Sequence, residues 1–281
     1  MPVIAMTQEM GSLAKDVALK LADTAKLTVL RHEVLEHVAG KMHVSDSLIS
    51  RLREGKAGLV ERLTTDQSRV AVYTAEEVFA LAAQGNVVLR GWGATCLLRP
   101  VSHVLRVRVT RPFTKRVEWL MGNLETDDEA FAAAEVRRSD TAHAARMNEL
   151  YGVNWGDPVL YDLVLNTDRL SVDTCVAQIQ HLVTRPEFQE TAESRAMLAS
   201  LALGARVRAA LKDHVATSNV EITIASVGGN VVLSGIVLNN EESAEAARVA
   251  SGVAGVASVD NRLRLMTKST RFTSGNFLGG R

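Results

Sequence analysis

This chain has no excess of positive or negative charge. Thirty-two basic residues stand against 32 acidic ones, a formal net charge of zero, so no whole-molecule field draws nucleic acid or an anionic membrane toward it. Nucleic acid is not an expected partner. Cysteine is scarce: Cys96 and Cys175 are the only two, too few for a disulfide framework or a cysteine-rich metal site, and each falls in an apolar segment that suits a small buried hydrophobe. No apolar run approaches the roughly 18 residues that span a bilayer, and no basic stretch followed by an apolar core opens the chain. The expectation is a soluble, cytoplasmic protein with no transmembrane segment. His32 and His37 stand five apart, about 140° around a helix, and do not form the i, i+4 pair that a shared metal needs. No metal site is expected. Gly-x-Ser-x-Gly, a Cys/His pair and Gly-x-Gly-x-x-Gly are all absent, which removes support for acyl transfer and for hydride transfer.

What is present is enough apolar residue, 47% of the chain, to bury a sizeable core in one large domain or two unequal ones. Residues 2–6 (PVIAM) read as a buried strand, and Leu13 to Ala22 as a helix with Leu13, Val17 and Leu21 on one face. Gly11-Ser12 is the turn between them. Thr28 to Met42 (TVLRHEVLEHVAGKM) reads as an amphipathic helix through Leu30, Val34, Leu35, Val38 and Met42. A second helical stretch, SDSLISRLREGKAGLVERL, breaks near Gly55-Lys56. Val87 to Arg90, Val104 to Val109 and Leu163 to Leu165 read as interior strands separated by helices, which predicts a parallel sheet covered on both faces. Ligands of such sheets bind beyond the carboxyl ends of the strands, here the loops TQEMGS, GWGAT and NTDRLS.

Near residue 185 the pattern turns polar (TRPEFQETAESRA), which predicts a linker and the start of a helix over 185–199. A smaller domain follows over 200–266. Its expected order is a helix over 194–215, the strands NVEITIAS and NVVLSGIVL, a helix over 241–252 and a closing strand in VASVDNRLRLM. Gly228-Gly229 supplies the positive φ angles of a tight hairpin. Residues 267–281, with three basic residues and no acid, read as a flexible basic tail.

Residues 1–184 resemble the cytidylate kinase-like family, a branch of the P-loop nucleoside monophosphate kinases. The resemblance lies in EMGSLAKDVALKLA, in VVLRGWGATCLLRPVSHVLRVRVTRPFTKRVEWLM and above all in DTAHAARMNELYGVNWGDPVLYDLVLNTDRLSVD. Residues from about 200 to 266 resemble a BON domain through VEITIASVGGNVVLSGIVLNNEESAEAARVASGVAGVASVDNRLRL. The resemblance implies a three-layer α/β fold, a P-loop kinase-like parallel sheet with helices on both faces, followed by a small α-β-β-α-β domain. It also implies a nucleotide held at the first strand-helix turn, with ATP and Mg2+ as cofactors if the chain transfers phosphoryl groups to a CMP-type acceptor. On this sequence the implied catalytic cations are Lys15, Arg116, Arg137 and Arg138, with Arg146 nearby, and the implied nucleotide contacts are Gly11, Ser12, Lys15, Trp92, His143 and Asn166.

Three departures bear on activity. The family's loop reads roughly Gly-Ser-Gly-Gly-Arg; here it is Gly11-Ser12-Leu13-Ala14-Lys15, with Asp16 where a magnesium-binding Ser or Thr would stand. Glycines restored at positions 13 and 14, at a helix start, would cost about 1 kcal/mol each. Similar kinases carry Asp-x-x-Arg in the segment that closes over the donor phosphates, whereas Asp140 is followed by His143, which cannot make the bidentate arginine contact. Trp92 replaces the arginine of Gly-Arg-Gly. Two readings follow: a nucleoside monophosphate kinase-like protein with weak or absent phosphoryl transfer, or a nucleotide-sensing or assembly module whose BON-like domain binds a small ligand, lipid or protein partner. An edge strand in so small a sheet also offers a route to a homo-oligomer.

Overall fold

A computed structural model describes residues 1–30 and 32–266. The expected basic tail, 267–281, lies outside the described residues. The chain divides into two compact units, Met1–Ala205 and a second beginning at Arg206.

In the first unit β1 (Val3–Gln8) leads through a loop to α1 (Ala14–Ala25), and β2 (Thr28–Leu30) follows. Helices α2 (His32–Met42), α3 (Asp46–Arg53), α4 (Leu59–Thr64) and α5 (Gln67–Gln84) precede β3 (Val87–Arg90). The short α6 (Ala94–Leu97) and β4 (Val104–Thr110) come next. Two packed helices, α7 (Phe113–Leu124) and α8 (Glu129–Tyr151), lead to β5 (Leu163–Asn166) and α9 (Val172–Val183). The five strands form one parallel sheet in the order β2-β3-β1-β4-β5. Central β1 pairs on both sides, which is why Val3, Ile4, Ala5 and Met6 are an unbroken apolar run with at most 1% exposure. Strand residues Ile4, Val88, Leu105 and Val107 share one core with Val17 and Leu21 of α1 and Cys175 and Ile179 of α9.

The stretch expected as a single helix over 28–42 divides. Thr28, Val29 and Leu30 pair with Val87, Val88 and Leu89, so two β-branched residues and a leucine take a strand partner far along the chain and override the local helical period. Cys175 is fully buried as expected, whereas Cys96 is only partly so. Burial pushes both thiols up from their ordinary value. Among the described residues no helix is long and apolar enough to cross a membrane, and no cluster of three His, Cys, Asp or Glu could hold a metal.

The segment 185–199 holds a short 3-10 turn, Pro186–Phe188, and the beginning of α10 (Ala192–Asp213). The division between the units falls inside this helix. In the second unit β6 (Ile222–Val227) and β7 (Asn230–Val237) form an antiparallel hairpin, and α11 (Asn240–Ser251) crosses to β8 (Ser258–Leu265), which runs parallel to β7. Gly228 and Gly229 have φ of 55° and 88°, the left-handed pair that a two-residue hairpin turn requires. Val231, Leu233 and Val237 point alternately into this unit's core, and Ala246 and Ala250 of α11 are buried with them.

Candidate phosphate and nucleotide site

The loop after β1 is shaped by backbone rather than by its glycine count. Gly11 has φ of +77°, and a Cβ there would come to 3.1 Å from Arg116 Cα, its carbonyl oxygen and Trp119 Cε3, so any other residue would be both strained and crowded. Leu13 has φ 60° and ψ 15°, left-handed, and stands at the N-cap of α1. The loop therefore keeps the turn that a glycine would supply at position 13 and carries a leucine through it. No side chain among the described residues caps α1, so its first-turn amides face the loop. Ser12 is 1% exposed, and its hydroxyl finds no hydrogen-bond partner among the described residues. From behind, buried Thr167 donates to the Ser12 carbonyl at 2.8 Å and to the Thr110 carbonyl at 3.3 Å. Thr167 thus anchors the loop to the ends of β4 and β5.

The left-handed Leu13 reverses the sign expected from its place near a helix start. Left-handed geometry costs an L-residue about 1–2 kcal/mol, and glycine's extra freedom in the unfolded chain returns about 0.5–1 kcal/mol of that. Leu13→Gly should raise stability by up to about 1.5 kcal/mol in denaturant unfolding. A loss of that size would mean that Leu13 contributes packing that outweighs its strain. Ala14 lies inside the helix, so the expected cost of glycine stands there.

Lys15 is exposed on the first turn of α1. The other expected cations have protein partners. Arg116 is 5% exposed, donates to both Asp140 oxygens at 2.9 and 2.8 Å and sends Nε to the Arg111 carbonyl at 3.0 Å. Arg138 grips Glu135 at 3.0 and 2.7 Å and the Glu54 carbonyl at 2.7 Å, and Arg146 donates to the Leu52 carbonyl at 2.8 Å. These two tie α8 to the C-terminal end of α3. Arg137 is exposed and lies over the Phe113 ring, 4.8 Å from its centroid.

Three expected nucleotide contacts are also engaged otherwise. His143 packs against Trp155, ring centroids 4.4 Å apart. Burial first, then nearby Arg146, Arg53 and Arg108, pull its pKa down to about 3, so the ring is neutral and brings no charge. Trp92 is 8% exposed and left-handed (φ 58°), with the Arg53 guanidinium 4.2 Å over its ring. One face is thus closed to a stacking base. Asn166 is exposed, and its Oδ1 accepts the Asp168 amide at 3.0 Å in a local turn.

Arg90 and Arg108 escape a reading by hydrophobic period because VVLR and VLRVRV look like plain interior strands, and Glu9 and Arg111 stand just past the ends of β1 and β4. The available signal was arginine inside them: a buried guanidinium needs partners. Arg90 and Arg108 are 7% and 6% exposed. Arg90 donates to Gln8 Oε1 at 3.2 Å, and Arg108 to the Trp155 carbonyl and to Glu9, both at 2.7 Å. With Arg111 and Arg116 these side chains bring positive charge to the carboxyl ends of β3 and β4. All three tryptophans of the chain, Trp92, Trp119 and Trp155, lie in this neighbourhood.

A parallel sheet in the order 2-3-1-4-5, with a left-handed loop running from its central strand into an uncapped helix, defines a P-loop kinase-like α/β fold. The profile of the cytidylate kinase-like family matches residues 3–169, and the chain belongs to that family. A BON domain matches residues 201–267. Among solved structures, an uncharacterized protein from Eubacterium ventriosum is similar at 19% identity and a TM-score of 0.51, covering 66% of this chain and all of its own. A shikimate kinase from Bacteroides thetaiotaomicron gives 14% identity and a TM-score of 0.39, over 66% of this chain and 99% of its own. The YorR protein of Bacillus subtilis, in complex with phosphorylated GDP, gives 12% and 0.41, over 67% and 99%. No protein of curated function matches this chain.

Proposed function

We propose that the first domain binds a nucleotide through its phosphate loop and that phosphoryl transfer from ATP to a CMP-type acceptor is weak or absent. The observation that carries the binding half is the buried, unpartnered Ser12 hydroxyl beside the uncapped start of α1, because a buried hydroxyl without a partner costs about 1–3 kcal/mol that an incoming phosphate oxygen would recover. Ser12, the α1 amides and Lys15 would hold the phosphates. Mg2+ would arrive with them, since this ion keeps few protein ligands and relies on substrate phosphates, and Asp16 is the neighbouring carboxylate. The catalytic half is weak for an electrostatic reason: transfer needs cations aimed at the moving phosphoryl group, while Arg116 and Arg138 are committed to carboxylates and carbonyls and His143 is neutral.

Calorimetry with ATP, CMP and CDP, with and without magnesium, tests both halves. Binding without turnover is the expected result, and Lys15→Ala should weaken it roughly 10- to 150-fold, the loss of a charge-assisted contact of about 1.5–3 kcal/mol. If no nucleotide binds, or if turnover matches that of an efficient kinase, the reading fails.

A second reading concerns the BON domain, where one feature favours a small ligand or protein partner. An open surface groove of about 590 Å³ lies between exposed Val215, Ile236 and Leu238, and Glu221, Glu241 and Glu242 line it as well. Its carboxylates would repel an anionic lipid surface, so a neutral or cationic ligand fits better.

A further inference from the structure

The Glu9 carboxylate is surrounded as a bound anion would be. Its Oε1 accepts from Arg108 Nη2 at 2.7 Å. Its Oε2 accepts from Thr110 Oγ1 at 2.6 Å and from the Arg111 amide at 3.2 Å, with Arg116 Nε 3.5 Å away. Two guanidinium groups, a hydroxyl and a backbone amide, all from the end of β4 and the start of α7, converge on one carboxylate. The arginines are well shielded, with side chains 8% and 6% exposed.

Neither arginine depends on Glu9 for its position. Arg108 is also held by the Trp155 carbonyl at 2.7 Å, with the Trp155 ring 4.1 Å below its guanidinium. Arg116 is fixed by Asp140 and by the Arg111 carbonyl. The donors would stay in place without the carboxylate. A preorganised set of charged donors in a poorly solvated pocket is what an oxyanion binds.

We propose that Arg108, Thr110, the Arg111 amide and Arg116 form a second anion site, which the chain fills with its own Glu9 and which takes a phosphate-class oxyanion once that carboxylate is removed or swings away. Glu9 directly precedes Met10, which packs on the Val117, Leu120 and Val136 cluster of α7 and α8, and Gly11, which abuts Arg116. The self-occupied site therefore pins the phosphate loop to the helical pair. This inference leans on the nucleotide reading only in taking phosphate as the anion.

The test is calorimetry of inorganic phosphate against the wild-type chain, Glu9→Ala and the double variant Glu9→Ala/Lys15→Ala, at constant ionic strength. Glu9→Ala should bind one additional phosphate per chain at least about tenfold more tightly than any the wild type binds beyond its phosphate loop, and the double variant should keep that gain. Formate, which restores the missing carboxylate, should raise the melting temperature of Glu9→Ala and leave the wild type unchanged. Equal phosphate affinity in the wild type and Glu9→Ala, or no response to formate, overturns the proposal. If Glu9→Ala does not fold, the isosteric and uncharged Glu9→Gln carries the comparison: severalfold tighter phosphate binding supports the site, and unchanged binding refutes it. A wild type that binds no nucleotide, alongside a Glu9→Ala variant that gains phosphate, would remove the nucleotide reading and leave this site standing.

Discussion

Replacing His143 with arginine is expected to destabilise the protein by about 3–5 kcal/mol, the penalty for an uncompensated buried charge. From the sequence this substitution restores a family arginine. In the fold the position is partly buried, packed against Trp155 and close to Arg53, Arg108 and Arg146, so a fourth guanidinium would meet three like charges. Denaturant unfolding should show the loss directly, and an arginine variant as stable as the wild type would mean that the side chain escapes toward solvent. Acid sensitivity follows from the same environment. The folded His143 takes a proton only near about pH 3 against an ordinary value of 6.5, so between those limits the unfolded chain binds more protons. Its contribution is complete above pH 6.5 and falls as pH drops toward 3, by up to about 1.4 kcal/mol per pH unit. His143→Phe should flatten this limb relative to the wild type. Parallel pH profiles for the two proteins would remove His143 from the acid response.

Arg108→Ala should cost a similar amount, about 3–5 kcal/mol, through a different route. It strips Glu9 of its nearest cation, leaves the Trp155 carbonyl without its 2.7 Å donor and uncovers the Trp155 ring. The two residues act as a pair, so a double-mutant cycle with Glu9→Ala should be strongly non-additive. A single-variant loss below about 1 kcal/mol would mean that the pair behaves like a surface ion pair.

How much of this could be read from the residues alone depends on the distance between partners. β1 and β3 were legible as short apolar runs and β4 through its repeated Val and Leu, and the β6-β7 hairpin because Gly228 and Gly229 meet a local backbone demand. β2 was not, since three residues carry no period of their own and pair with Val87 to Leu89. Gly11, Ser12 and Lys15 were placed by topology, as the first turn after the first strand. The fates of Arg116, Arg138, His143 and Trp92 were not legible. Each is decided by a partner supplied from elsewhere in the fold, respectively Asp140, the Glu54 carbonyl, Trp155 and Arg53. Leu13 shows the same limit at short range: the left-handed turn follows from the family's glycine, but that a leucine still adopts it does not.

The placement of Trp92, Trp119 and Trp155 in the first unit has an optical consequence. Residues 206–266 contain no Trp, Tyr or Phe, so within the described chain every aromatic chromophore belongs to the first unit. Tryptophan emission then follows that unit alone, because all three tryptophans lie in it, while far-ultraviolet dichroism records the helices and strands of both. The second unit is spectrally dark in one channel and visible in the other, and a pair of unfolding curves on the unlabelled protein separates the melting of the two.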